Sequence, residues 1–269
     1  MRPLVPVSDA EDDDSAVYYG QALRILIPIL DGPIGALTED ILAAIVILRL
    51  YEEMCDGDTG THLHGSSRIL NSMSSFAATG GLGEAASWVV LRQDIYWSLT
   101  HAQPLCIDLE FYKRSRSFLE DDAEALANRA VFLCAQALAL SFQPGGCLDL
   151  AQWEELNESV EQWPELQPPE ARPLWVDLSE DSRASVFPAM WMAQRAHVIS
   201  YQHYHIARML LTMFNPQLWV PSFGAFWRRR QADRIVANNL RMVVGLAMSN
   251  TSVIAAAFTA SHTLQLVRA

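Results

Sequence analysis

The densest group of residues able to move a proton lies on one predicted helix. It consists of His197, Tyr201, His203, Tyr204 and His205. A general base needs a neighbour that sets its protonation state, and no carboxylate lies within one helical turn on the face of His203. The pattern therefore favours a hydrogen-bonded core histidine over a catalytic one, and we predict no catalytic residue in this chain.

Aromatic side chains around the same helix offer a second kind of chemistry, the binding of an apolar ligand. Trp191, Tyr201, His203 and Tyr204 form the candidate effector pocket, because ligand pockets often lie between packed helices. Core packing is the simpler explanation for each aromatic residue taken singly, since aromatic side chains are mostly interior. A small-molecule effector is therefore an open possibility.

Metal ligands do not cluster in the sequence. His62 and His64 are two residues apart, so on a helix they point to opposite sides. The cysteines are widely scattered and form no C-x-x-C pair. We therefore predict no metal and no cofactor in this chain, and the few cysteines are typical of a reducing compartment. The cysteines are Cys55, Cys106, Cys134 and Cys147.

Sequence motifs of common enzyme classes are missing. The glycines at 80–83 lack the Lys-Ser/Thr of a phosphate loop, and we interpret them as a linker. No G-x-S-x-G, H-E-x-x-H or dinucleotide fingerprint occurs, and Asp12, Asp13 and Asp14 lie in a segment with no predicted structure. We predict that the chain is not an enzyme.

The net charge disfavours nucleic acid as a direct partner. The chain of 269 residues carries 31 acidic and 19 basic residues, a formal charge of −12. Such a chain repels a phosphate backbone unless its positive charge is gathered on one surface. Arg228, Arg229 and Arg230, followed by Arg234 and Arg241, are the local exception, and a solvated helix face explains them best. We predict no DNA-binding residue.

The element that must organise the fold is a predicted helix at Thr38–Met54. Thr38 is placed to cap it, and Glu39 and Asp40 meet the positive end of the helix dipole. Every residue from Ile41 to Leu48 is apolar. A helix that is apolar on all sides has to be surrounded by other helices, so we expect this one to be the central buried helix.

The rest of the chain predicts further helices and no strand. A first helix is expected near Gln21, ended by Pro28 or by the turn at 31–33. A helix beginning at Pro188 is expected to be the longest. The sequence therefore predicts an all-α fold, one large domain of about eight or more packed helices. The predicted helices that follow Thr38–Met54 along the chain span 62–76, 84–100, 121–142, 148–163, 188–214, 226–250 and 253–268.

The ends of the chain set the predicted domain boundaries. Residues 1–20 contain prolines and then an acidic run, which predicts a flexible acidic N-terminal segment before a helical domain at 21–269. No positively charged region precedes an apolar one, so no signal peptide is expected. No stretch reaches the about 20 apolar residues of a membrane span, so no membrane partner is expected.

Taken together, these segments resemble the regulatory domain of fungal-specific transcription factors of the binuclear zinc-cluster class. The likeness covers roughly Gln21 to the C-terminus and depends on the order and spacing of the segments together. They are ILAAIVILR at 41–49, YEEM at 51–54, THL at 61–63, GSS at 65–67, WVVLRQDIY at 88–96, Asn128 with Arg129, Trp153 with Leu156, Phe187 with Pro188, and YHIARMLL at 204–211.

The resemblance implies a nuclear, all-helical regulatory domain that contacts a coactivator or dimer partner and in some members senses a small molecule. The zinc cluster of that family needs six closely spaced cysteines, and this chain has four in other places. DNA contact and zinc are therefore expected only through an N-terminal cluster that this chain lacks. Either the chain is a fragment or truncated gene model of a full factor, or it is a stand-alone helical regulator that lost the cluster. The alternative function is a stand-alone helical protein that binds small molecules, or an enzyme of secondary metabolism.

Overall fold

The computed structural model describes residues 9–33, 37–54, 61–142, 149–178 and 186–267, without the side chains of 9–13, 61, 62 and 74. Several sequence predictions lie outside the described residues. They concern Cys55 and Cys147, the side chains of His62, Asp12 and Asp13, and residues 1–8.

The described residues confirm an all-α fold of packed helices, as predicted. Short 3-10 helices connect several of the long helices, and two three-residue strands pair in antiparallel fashion. The elements are α1 Asp9–Leu30, α2 Glu39–Met54, α3 Thr61–Ser72, α4 Gly81–His101, α5 Ala123–Ser141, α6 Leu150–Gln162, β1 Trp175–Asp177, β2 Ala189–Trp191, α7 Arg195–Met213, α8 Ala225–Ser249 and α9 Ile254–Leu266.

Polar residues before the helices act as caps where the sequence places them. The Asp122 carboxylate accepts a hydrogen bond from the backbone N–H of Ala125 at 2.8 Å at the start of α5. Asp149 caps α6 in the same way, and Thr38 Oγ1 accepts from the N–H of Ile41 at 3.4 Å. Each bond satisfies a backbone donor that the first helical turn leaves unpaired, so these helices start close to their predicted positions.

Helix α4 begins at Gly81, so the interpretation of 80–83 as a linker was wrong. Glu39 Oε2 accepts from the N–H of Gly83 at 2.9 Å, and Glu84 Oε2 accepts from the N–H of Gly80 at 2.7 Å. Two carboxylates thus neutralise the positive end of this helix. One comes from a different helix, which a local sequence pattern cannot show.

The centre of the fold is α7 rather than α2. Helix α7 is buried on nearly every side, and its interface with α5 is the most extensive between two helices in the described chain. In α2, by contrast, the side chain of Ile47 is 65% exposed, whereas Arg49 is only 2% exposed. The prediction that α2 is surrounded on all sides was wrong, because α1, α3 and α4 leave one face open.

Helix α1 starts at Asp9, well before the predicted start near Gln21, and it continues through Pro28. Leu26 packs against Ile45 of α2, and the Tyr19 hydroxyl donates to Glu52 at 3.0 Å. Residues 9–20 are therefore helical, where the sequence predicted a flexible segment; residues 14–18 are exposed and Tyr19 contacts α2. Pro28 lies in the last turn of the helix and has no N–H to donate to the carbonyl four residues before it.

The helix predicted from Pro188 instead begins at Arg195, and α8 with 25 residues is longer. Strand β2 occupies 189–191, so the prediction of no strand was also wrong. Asn250, at the end of α8, donates to the carbonyl of Met190 at 2.8 Å and accepts from the N–H of Met192 at 3.2 Å. These side-chain bonds hold the segment extended, and three residues are too few for an alternating pattern to reveal.

One helix among the described residues, α5, is long and apolar enough to cross a membrane by length and composition. The expectation that no stretch reaches that length was therefore too strict. More than half of the helix is buried against other elements, with fully enclosed Ala130, Cys134 and Leu138. An interior helix of this kind has the same apolar composition as a membrane span.

Gly245 of α8 allows a close approach that predicts a measurable cost on substitution. A Cβ at this position would lie 2.1 Å from the carbonyl oxygen of Pro188, whereas a Cβ at Gly65 in α3 would meet nothing within 4 Å. We expect Gly245→Ala to lower the free energy of unfolding by about 1–3 kcal/mol or more. Gly65→Ala, the matched control, should raise it by up to about 1 kcal/mol.

Urea unfolding of both variants beside the unsubstituted chain checks this prediction. Equal stability of Gly245→Ala and Gly65→Ala would contradict the packing of Pro188 against α8.

Candidate functional site

The residues predicted to form an effector pocket contact different aromatic neighbours. Tyr201 and Tyr204 both contact the ring of Trp163, at centroid distances of 5.1 and 4.9 Å. Trp191 lies on β2 and packs against Trp175 of β1 instead. None of the four cavities described later in this section is lined by Trp191, Tyr201, His203 or Tyr204.

His203 is enclosed in the core, as the sequence pattern favoured. Its Nδ1 lies 2.8 Å from the carbonyl of Ile199, and its ring lies beside Tyr96 at 6.2 Å. Burial lowers its pKa to about 4, with a smaller contribution in the same direction from Arg92. The ring is therefore neutral at pH 7 and has no access to solvent. Its role is structural, and it does not transfer a proton.

The neighbouring histidines are also part of the core. His205 Nδ1 lies 2.8 Å from Oδ1 of Asn239 on α8, and burial lowers the pKa of His205 to about 4. Burial also lowers the pKa of His197. The three histidines on α7 thus face different neighbours, and they do not form a proton-transfer group.

Three separate segments bring together a different cluster of residues with side chains that often take part in catalysis. Cys106 Sγ lies 3.7 Å from His64 Nδ1 of α3, and the Asp94 carboxylate of α4 accepts from the backbone N–H of Cys106 at 2.8 Å. Asn71 binds the carbonyl of Cys106 at 2.9 Å. Sequence reasoning missed this cluster because its members are far apart along the chain.

The charges in this cluster work against a nucleophilic thiolate. Burial and the Asp94 carboxylate raise the pKa of the Cys106 thiol to about 11. Burial also raises the pKa of Asp94 to about 6, although hydrogen bonds from the backbone of Ile107 and Cys106 oppose it. Reactive cysteines have lowered pKa values and positive surroundings, so this geometry holds a loop in place rather than activating a sulfur.

No group of three or more metal-ligating side chains occurs among the described residues. The side chains of 9–13, 61 and 62, which include His62, are not among those described.

The most unusual surface of the described chain lies where α7 connects to α8. Phe223 is fully exposed at 109% and Trp227 is 67% exposed, and further aromatic and basic side chains surround them. Large aromatic side chains left in water mark a binding surface when they occur together. The aromatic–arginine surface consists of Trp219, Val220, Phe223, Phe226, Trp227, Arg228, Arg229 and Arg230.

Arginine side chains hold this surface in shape. Arg228 Nη2 donates to the carbonyl of Val220 at 3.1 Å, and Arg229 Nε donates to the carbonyl of Leu218 at 3.3 Å. The Arg229 guanidinium also lies 5.7 Å from the ring centre of Trp219. The connecting segment is therefore tied to the first turn of α8, which keeps its aromatic side chains outward.

The sequence reading of these arginines as a solvated helix face is only partly right. Arg230 is exposed, but Arg228 is half-buried and Arg229 is bound to the backbone and to Trp219. The signal that could have found the surface was the sequence LWVPSFGAFWRRR at 218–230, where four aromatic residues stand beside three arginines. Such a mixture is enriched at protein interfaces.

A cleft of about 250 Å³ opens beside this surface, between α6, α7 and α8. Its floor is apolar and includes Trp153 and Leu211, and its rim carries Arg208 and Arg228. A broader groove of about 520 Å³ runs between α5 and α6, and a polar cavity of about 260 Å³ lies between α2, α4 and α9. A shallow cavity of about 180 Å³ adjoins the start of α4.

Comparison of the sequence with family models and with curated proteins, and of the fold with solved structures, returned no match.

The buried neutral state of His203 predicts a loss of stability in acid. The His203 ring takes up a proton near pH 6.5 in the unfolded state and only near pH 4 in the folded state. Its contribution to the free energy of unfolding is therefore fully present above pH 6.5 and is lost as the pH falls toward 4. Between pH 7 and pH 5 this one group should lower the free energy of unfolding by about 2 kcal/mol.

Urea unfolding of His203→Gln at both pH values tests this contribution. The variant should lose less stability than the unsubstituted chain on going to pH 5, whereas Gln103→Ala, which removes an exposed side chain that does not titrate, should leave the loss unchanged. Identical acid sensitivity of His203→Gln and the unsubstituted chain would show that His203 is not buried in the neutral form.

The raised pKa of Cys106 predicts slow alkylation despite its exposure. At pH 8 only about one thiol in a thousand would be ionised at a pKa of about 11. Asp94→Asn removes a negative charge, so we expect faster modification by iodoacetamide, about tenfold for each unit by which the pKa falls. Mass spectrometry of the peptide that contains Cys106 gives the rate, and Asp108→Asn is the control. Unchanged reactivity in Asp94→Asn would contradict the role of Asp94.

Proposed function

We propose that this chain is the helical regulatory domain of a transcription regulator, and that it acts by binding a protein partner at the aromatic–arginine surface. The exposed aromatic side chains around Phe223 and Trp227 carry the proposal. The resemblance of the sequence to the regulatory domains of zinc-cluster transcription factors supplies the setting. In this proposal the chain works in the nucleus as a non-enzyme.

The composition of the surface favours a protein as its partner. Trp and Arg are the residues that most often dominate the binding energy of protein interfaces, and they do so from central, well-packed positions. Arg229 is already fixed against Trp219 and the carbonyl of Leu218 before a partner binds. A preorganised side chain loses less conformational freedom on binding, which strengthens the complex.

Charge points to an acidic segment with apolar side chains as the partner chemistry. Arg228, Arg229 and Arg230 lie together on a chain whose formal charge is −12. At physiological salt the screening length is about 8 Å, so a partner at contact distance senses the arginines more than the distant carboxylates. Charged rims of this kind mainly speed association and select the partner, while the aromatic centre supplies affinity.

Under this proposal no residue of this chain contacts DNA. The overall negative charge opposes a phosphate backbone, and the arginines are partly occupied by backbone carbonyls and by Trp219. A zinc cluster on an N-terminal segment would supply both the zinc and the DNA contact, as the resemblance implies.

Site-specific crosslinking tests the proposal directly. A photoreactive phenylalanine at Phe223 should capture a component of the transcription machinery from nuclear extract, through an acidic segment of that component. The same probe at Leu119, which is 83% exposed and lies outside the aromatic–arginine surface, should not capture it. Capture of metabolic enzymes alone, or equal capture from both positions, would contradict the proposal.

We expect Phe223→Ala with Trp227→Ala to weaken the purified complex by about 2 kcal/mol or more, roughly thirtyfold in the dissociation constant. Stability should change by no more than about 0.5 kcal/mol per substitution, because both side chains are exposed. Leu119→Ala serves as the matched control in the same titration. Unaltered affinity in the double variant would show that the partner binds elsewhere.

A further inference from the structure

The cleft between α6, α7 and α8 combines an apolar floor with a positively charged rim. Trp153 forms part of the floor, and its indole N–H is already donated to the carbonyl of Leu211 at 3.2 Å. The indole therefore presents only its apolar ring to the cleft. The remaining apolar lining comes from Leu211, Leu218, Ala232 and Ile235.

The rim carries two guanidinium groups in different states. Arg208 Nη1 forms an ion pair with Glu161 Oε1 at 3.5 Å, and Glu161 itself is more than half exposed. Arg228 lines the same cleft and donates from Nη2 to the carbonyl of Val220. Its Nε is buried and has no hydrogen-bond partner among the described residues.

A buried donor without a partner carries an energetic cost that a ligand can remove. An unsatisfied donor on a charged group costs more than one on a neutral group, because the group has lost its water. The guanidinium of Arg228 is therefore not fully satisfied by the protein, and it gains from an acceptor oxygen placed against its face in the cleft. A carboxylate suits it best, because hydrogen bonds between arginine and a carboxylate are assisted by both charges.

The charge and size of the cleft narrow the ligand class further. Two arginines and one glutamate among its lining residues leave one net positive charge, which matches a monoanion. Its volume of about 250 Å³ lies just below the about 300–1,000 Å³ usual for drug-sized ligands. The apolar floor fits a hydrocarbon or aromatic body and disfavours a fully hydrated inorganic ion.

We propose that this cleft binds a small monocarboxylic acid with an apolar body. The carboxylate pairs with the guanidinium of Arg228, Arg208 supplies a second positive charge, and the body rests on Trp153. The inference goes beyond the binding of a protein partner at the aromatic–arginine surface, and it is tested on the chain alone. Failure of one proposal therefore leaves the other intact.

Calorimetric titration with benzoate and with benzamide tests the proposal. The two probes have the same ring and nearly the same size but differ in charge. We expect benzoate to bind with a dissociation constant of about 1 mM or tighter, and benzamide at least about tenfold more weakly. Benzoate should also shift the NMR signal of the Trp153 indole N–H, which Trp153→Phe assigns by removing it.

Variants of the rim separate the site from general anion binding. Arg228→Gln should weaken benzoate binding about tenfold or more, and Arg208→Gln should weaken it as well, because Glu161 then loses its counter-charge. Arg114→Gln, exposed, outside the cleft and outside the aromatic–arginine surface, should bind benzoate as the unsubstituted chain does. Melting temperatures show that each variant is folded before it is titrated.

Several results would overturn the proposal. They are the absence of benzoate binding at about 1 mM, equal binding of benzamide, and unchanged affinity in both Arg228→Gln and Arg208→Gln. Inorganic phosphate that binds as tightly as benzoate and shifts the same indole signal would also overturn it, because the apolar body would then have no role.

Discussion

The structure depends on enclosing α7, a helix that carries polar side chains on its buried faces. Gln202 is fully buried, and its amide nitrogen donates to the carbonyls of Val243 at 2.9 Å and Ala256 at 3.0 Å. One side chain thus ties the central helix to the end of α8 and the start of α9. Buried polar groups are tolerated only when they are hydrogen-bonded, so α8 and α9 must pack at these positions for α7 to be interior.

The enclosure of α7 also determines where binding chemistry is left over. Several polar side chains of the core form structural hydrogen bonds, as His205 Nδ1 does with Asn239. The segment that leaves α7 and enters α8 lies outside this core and is anchored by Arg228 and Arg229. The aromatic–arginine surface and the adjoining cleft are therefore positioned by the same α7–α8 junction, which gives a rigid base to two different binding chemistries.

Sequence patterns predicted the features that depend on neighbouring residues. Apolar periodicity placed α5 and α6 within two residues of their observed starts, and the all-α class followed from it. The start of α4 depends on a contact with α2, from Glu39 to Gly83, and the extended segment at β2 depends on bonds from Asn250. Local propensity cannot reveal bonds made between distant segments, and the predictions failed at these points.

The candidate site was predicted less well than the fold, for a related reason. Tyr201 and Tyr204 were correctly expected on one helix, but a sequence does not show that Trp163 fills the space beside them. The exposed position of Phe223 was equally hidden, because aromatic residues are interior by default. Whether an aromatic side chain packs or protrudes is decided by the tertiary structure around it.

A reporter assay tests the central claim, regulation through a protein partner, most directly. The chain is fused to an unrelated DNA-binding domain, and transcription is measured from a promoter with the matching site. The account predicts that the fusion alters transcription and that Phe223→Ala with Trp227→Ala abolishes the effect at equal protein level. A fusion with no effect on transcription, or an effect that survives the double substitution, would contradict it.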